Sequence, residues 1–180
     1  MPPRPLRADA QRNRDKLLEV AVSAFSRDGE ATLDAIAKEA GVGIGTLYRH
    51  FPTRDALVEA AYRNELSKLC DAAPVLLAEL PPERALRAWM DRFYGYITTK
   101  QGMGDALRAL IDAGGNPFAT SRDSMVAAVT MLLEAGSKTL RDDVPALDVL
   151  TSLSGICLAS SDQAQAGRLI DLLLDGLERR

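Results

Sequence analysis

Apolar positions recur at helical spacing along nearly the whole chain, and the breaks between the stripes are marked by glycine, proline and good capping residues. Leu17, Ala21, Ala24 and Phe25 form one stripe, predicting a first helix from about Asp9 to Asp28 that Gly29 ends. Leu33, Ile36, Ala37 and Ala40 follow Thr32, a good N-cap, and Gly41 stands where a left-handed C-cap belongs. After Gly41-Val42-Gly43 the chain is expected to enter a short helix from Ile44 to Phe51, stopped by Pro52. Thr53 should cap a fourth helix with Asp55 in its first turn. Val58, Tyr62, Leu66 and Leu69 carry that helix to about Ala72, and Ala73-Pro74 with Leu80-Pro81-Pro82 read as a linker. From Glu83 the helical pattern resumes through Leu86, Trp89, Met90, Phe93, Tyr96 and Ile97, then Met103, Leu107, Leu110 and Ile111, ended by Gly114-Gly115-Asn116-Pro117. A longer helix is expected to carry Met125, Val129, Leu132, Gly136 and Leu140, another to follow Pro145, and a last one to start near Asp162.

No strand-like alternation competes. The expected fold is therefore all-α: an N-terminal three-helix helix-turn-helix unit over residues 1–54, joined to a C-terminal helical bundle over 55–180, with about nine helices. Phe25, Ile36 and Leu47 are the expected core of the first unit. Residues 1–8, rich in proline and arginine, read as a mobile arm able to lie along phosphates or enter a minor groove, or as a solvated tail.

The chemistry concentrates in the third helix. It is barely two turns long and carries Thr46, Tyr48, Arg49 and His50, which are donors and flat rings, leaving Leu47 and Phe51 to hold it down. A short helix with few packing residues, presenting donors beyond a glycine turn, suits a major groove. Gly41, Gly43 and Gly45 do not make a nucleotide loop, because a helix and not a strand precedes them.

Composition and charge agree with this placement. The chain has 180 residues, 47% of them apolar, which is enough for a real core. Its net charge of −3 divides unevenly: residues 1–54 hold nine Lys/Arg against seven Asp/Glu, while 55–180 hold thirteen against eighteen. Positive charge thus gathers at the end carrying the short donor helix. No run of about 18 uncharged apolar residues predicts a membrane span. The first residues lack a signal-peptide core, so a cytoplasmic protein is expected. Cys70 and Cys157 stand apart with no metal-ligand neighbours and read as reduced thiols. A single histidine leaves no free Ser-His-Asp set, and Asp142-Asp143 beside Pro145 reads as a helix cap, so no enzyme, cofactor or metal is expected.

The stretch TLDAIAKEAGVGIGTLYRHFPTRDAL, residues 32–57, closely resembles the DNA-binding signature of the tetracycline-repressor (TetR) family of bacterial regulators. The resemblance rests on Ile36-Ala37, Ala40-Gly41-Val42, Gly45-Thr46-Leu47-Tyr48, His50-Phe51 and Thr53-Arg54 before Leu57, and it covers the first third of the chain. It implies an all-helical homodimer that binds pseudo-palindromic operator DNA and responds to a small-molecule effector. By the same resemblance, Thr46 and Tyr48 meet phosphates and base edges, Gly45 allows close backbone approach, and His50 contacts phosphate. Arg54 grips the DNA backbone, and Thr32 offers a hydroxyl and backbone N–H to phosphate. Three departures stand out. Gly43 replaces a side-chain cap, Asp34 puts a carboxylate where arginine is frequent, and Ile44 can read only a thymine methyl.

Two further surfaces are marked. The face comprising Trp89, Phe93, Tyr96, Met103, Leu107, Met125 and Val129 reads either as plain core or as the wall of an effector pocket. Leu169, Ile170, Leu173 and Leu177, with Leu172 and Leu174, cover more than one side of the last helix. With Leu150, Ser154 and Leu158 on the helix before it, they predict a four-helix interface between two subunits. The resulting expectation is a dimeric repressor released from its operator by a ligand. The alternatives are a same-fold regulator that activates or takes no ligand, and a helical protein-binding adaptor.

Overall fold

The structure, a computed structural model, describes residues 4–179, with side chains from Asp9 onward. Among the described residues there are nine helices and no strand. These are α1 (Arg4–Arg27), α2 (Leu33–Ala40), α3 (Ile44–His50), α4 (Arg54–Glu79), α5 (Pro82–Gly102), α6 (Gly104–Asp112), α7 (Ser121–Ala135), α8 (Ala146–Ala159) and α9 (Gln163–Leu177).

Several ends fall where local chemistry puts them. The Thr32 hydroxyl accepts the N–H of Ala35 at 3.2 Å, and Asp162 accepts that of Gln165 at 2.8 Å. The Thr53 hydroxyl takes the N–H of Ala56 at 3.1 Å. Gly41 closes α2 in the left-handed region at φ 64°, a conformation that favours glycine, while Val42 donates to the Ala37 carbonyl.

Other ends differ from expectation. Helix α1 begins at Arg4, so the mobile arm expected over residues 1–8 is helical backbone from residue 4, and its first three residues lie outside the described residues. The linker expected at Ala73-Pro74 is absent, because α4 continues to Glu79 with Pro74 inside it. Ala72, Ala73 and Leu76 are buried while Pro74 lies on the exposed side. Helix α7 stops at Ala135 rather than passing Gly136. A Cβ on Gly136 would stand 2.5 Å from Leu140 Cδ1, so the glycine lets the chain fold back and bury Leu140. Leu140 then forms an isolated antiparallel bridge with Glu178.

The chain forms two compact units. The first comprises Met1–Asn64 with Thr99–Pro117, the second Glu65–Thr98 with Phe118–Arg180. In the first, α1, α2 and α3 contact one another around Phe25, Ile36 and Leu47, each essentially inaccessible to solvent. In the second, α8 lies against both α7 and α9. There Trp89 donates its indole N–H to the Leu69 carbonyl at 2.9 Å, and Arg87 of α5 pairs with Asp171 of α9 at 2.6 Å.

Candidate DNA interface

The first unit displays α3 on its surface. Leu47 and Phe51 are buried beneath it, and the buried Leu47 and Phe51 sit one helical turn apart. That spacing turns the opposite side outward: Gly45, Tyr48 and Arg49 are exposed, and Thr46 and His50 are half-buried at its edges. Beyond its chain neighbours and its own helix backbone, nothing lies within 4 Å of where a Cβ on Gly45 would stand, so no packing contact requires glycine there. Arg49 folds its Nε–H onto the Gly45 carbonyl at 3.1 Å, leaving the rest of its guanidinium free to point outward. The His50 ring lies 6.1 Å from that of Phe51. Arg14 of α1 sits 5.7 Å over the Phe51 ring, adding a cation at the same end. Gly43 supplies no side-chain cap, and Ile44 is exposed at the front of the helix.

Thr32 uses its oxygen as the α2 cap, which leaves its hydroxyl hydrogen available to an acceptor. Nearby, Arg27 of α1 pairs with Glu39 of α2 at 2.6 Å. Arg54 behaves differently from the expectation. Its guanidinium turns inward, donating to the Gly29 carbonyl and lying 5.0 Å over the Phe25 ring. In this geometry one carbonyl and one ring engage part of the planar group that the phosphate grip was expected to use. Sequence spacing cannot tell an arginine at a helix start that faces outward from one folded back.

The second unit holds the other marked residues. Trp89, Phe93 and Tyr96 form one buried aromatic run along α5, with ring centroids 5.7 and 6.1 Å apart. Val129 is buried on α7, and Met125, one turn earlier, is half-buried. Met103 and Leu107, also buried, belong to the first unit. Two open hollows in the second unit lie elsewhere. One of about 690 Å³ is lined by charged residues including Arg141, Asp143 and Arg179, and one of about 220 Å³ lies among Thr130, Leu133, Ser137 and Val144. Burial pushes the Cys70 and Cys157 thiols up to about 11, so both are protonated near neutral pH.

On α8 and α9 the expected interface residues divide. Leu150, Ile170 and Leu177 are buried inside the protomer, because they face the α8–α9 seam and its neighbours. They are corrected to core. Ser154, Leu169 and Leu173 are half-buried, while Leu158 is 64% exposed and Leu172 is 65% exposed.

A domain described as "Transcriptional regulator SbtR-like, C-terminal domain" matches residues 81–179, more than half of the chain, and "Bacterial regulatory proteins, tetR family" matches residues 17–61. The crystal structure of a TetR transcriptional regulator from Streptomyces coelicolor is 54% identical, with a TM-score of 0.85, over 92% of this chain and 98% of that one. The chain belongs to the TetR family. A TetR regulator from Mycobacterium vanbaalenii is 34% identical, with a TM-score of 0.80, over 97% of this chain and all of its own. HTH-type transcriptional regulators of Staphylococcus aureus are 38% identical over 63 residues, so the chain matches about a third of the length of those curated relatives (34%). The TetR assignment makes the chain a transcriptional regulator and not an enzyme, and dimers and ligand response are typical of that family. Among the described residues no helix is long and apolar enough to cross a membrane, and no group of side chains could hold a metal ion.

Proposed function

We propose that this TetR-family regulator is a homodimeric repressor that reads a pseudo-palindromic operator through α3 and leaves it when a small molecule occupies the helical body. The division of labour follows the sequence: residues 1–54 bind DNA, and residues 55–180 take the effector and form the dimer. The observation that carries the reading is α3 itself, whose buried Leu47 and Phe51 leave Gly45, Thr46, Tyr48, Arg49 and His50 for the groove. Thr46 and Tyr48 read bases, while Arg49, His50 and the N-terminus at Thr32 position the backbone. Asp34, in the first turn of α2, serves that helix's dipole and not the DNA. Within the second unit, the effector site is proposed along Trp89, Phe93, Tyr96, Met125 and Val129, where half-buried Met125 offers the adaptable edge.

The dimer face is proposed on the outer side of α8 and α9, around Leu158, Leu172, Leu169, Leu173 and Ser154. Two leucines about two-thirds exposed on adjacent helices are the apolar surface that a two-fold contact covers. The test is selection of duplexes from a random-sequence pool by the full-length protein. An enriched inverted repeat, bound with an affinity that falls steeply with salt, is the expected result. Recovery of no preferred sequence, with binding indifferent to salt, refutes the reading and favours a protein-binding adaptor.

A further inference from the structure

Arg54 is the first residue of α4, where a cation opposes the helix dipole and gains nothing for the helix itself. An arginine at such a position serves something outside its own helix. Here it serves α1. Its Nη2 donates to the carbonyl of Gly29, two residues past the end of α1, where unpaired carbonyls carry partial negative charge and favour a cation. The same guanidinium has its Cζ 5.0 Å over the ring centroid of Phe25, the core aromatic of the helix-turn-helix unit. Its Nε is buried with no protein partner, while the residue as a whole is half-buried.

Gly29 is fixed from its other side as well. A Cβ there would stand 2.8 Å from Asp105 Cβ, so the start of α6 occupies the space a side chain would need. The turn between α1 and α2 is also closed on itself, with Ala31 donating to the Asp28 carbonyl at 3.0 Å and Glu30 to the Asp28 carboxylate at 2.9 Å. One guanidinium thus joins the first residue of α4 to a turn that can give neither way.

The geometry points to Arg54 as a positioning residue for DNA binding: it clasps the α1–α2 turn to the start of α4 and sets the orientation of the reading unit, without itself holding phosphate. The inference rests on the DNA-binding reading above. Lysine is a poor replacement for this clasp, because it lacks the planar fork whose face meets the Phe25 ring while a separate N–H reaches the Gly29 carbonyl. As a phosphate contact, by contrast, lysine would serve nearly as well.

The experiment uses full-length protein carrying Arg54→Lys or Arg54→Ala, with a duplex selected on the wild type as the probe. Binding is titrated across salt, and amide hydrogen exchange over residues 28–32 is followed without DNA. Both variants are expected to bind at least about fivefold more weakly, with lysine giving no rescue. The slope of log affinity against log salt is expected to stay at the wild-type value, and exchange over residues 28–32 to quicken in both. Wild-type affinity for Arg54→Lys, or a slope smaller by about 0.9 for Arg54→Ala, would overturn the clasp in favour of a phosphate contact. Unchanged exchange would also overturn it. If Arg54→Ala does not fold, Arg54→Lys supplies both readouts alone. If the wild type selects no duplex, the DNA reading fails, and the exchange measurement still decides the clasp.

Discussion

Replacing both Leu158 and Leu172 by glutamate should turn the dimer into monomers without unfolding the protomer. Each leucine leaves about two-thirds of its surface open in the protomer, at 64% and 65%. Full burial of a leucine stabilises by about 1.5–3 kcal/mol, so covering the open share contributes about 1–2 kcal/mol each. A two-fold contact uses both residues twice, which brings their joint contribution to about 4–8 kcal/mol of association energy. Glutamate removes that contribution and adds the cost of desolvating carboxylates at the contact. The dissociation constant should therefore rise by at least about a thousandfold. Sedimentation velocity over a concentration series measures it, with circular dichroism on the same samples to show an intact fold. A paired control is Leu177→Ala. Leu177 is 3% exposed, so its loss should lower the melting temperature through a cavity rather than act at the contact. A folded L158E/L172E variant that still sediments as a dimer would refute the argument and move the interface off α8 and α9.

Three other outcomes are expected. Thr46→Ala or Tyr48→Ala should change which duplexes the protein prefers, whereas His50→Ala should weaken selected and scrambled duplexes alike; equal losses on both for Thr46→Ala would contradict its reading role. Trp89→Phe should destabilise by about 1–3 kcal/mol in urea unfolding, since it leaves the buried Leu69 carbonyl without its indole donor; a neutral result would mean that water replaces the bond. The Gln165 N–H holds the Asp162 carboxyl below the usual carboxylate range, so the stability it contributes is complete above the unfolded-state value near 3.9 and lost as pH falls through the folded one. The melting-temperature gap between wild type and Asp162→Ala should accordingly close on acidification below about pH 4, and a gap independent of pH would show that the cap is not acting as an ionised group.

Much of the fold was legible because helix ends are local events. Thr32, Gly41, Thr53 and Asp162 each announce an end through their own hydrogen bonds, and the structure places caps at all four. Pro74 and Gly136 misled for the opposite reason. A proline inside a helix loses one backbone bond and crowds the carbonyl one turn earlier, a cost that surrounding packing can offset. Here the buried Ala72, Ala73 and Leu76 flank a Pro74 that faces outward. Gly136 looks like one more position in a helical stripe until Leu140 folds back onto it, a contact decided by tertiary packing.

The α3 site was legible for a different reason: with so few apolar residues in so short a helix, Leu47 and Phe51 fix which side is buried, and the outward side follows. The last helix offered no such constraint. Its leucines cover several faces, and spacing alone cannot assign Ile170 and Leu177 to the protomer core and Leu172 to the surface. Arg54 is the residue whose direction its sequence position specifies least. Its long stem lets the same residue at the same register reach out to phosphate or back to a carbonyl. What decides between them is whether a partner of the right shape waits behind it. The Gly29 carbonyl and the Phe25 ring meet that need together, and they are brought to one place by a turn 25 residues earlier in the chain.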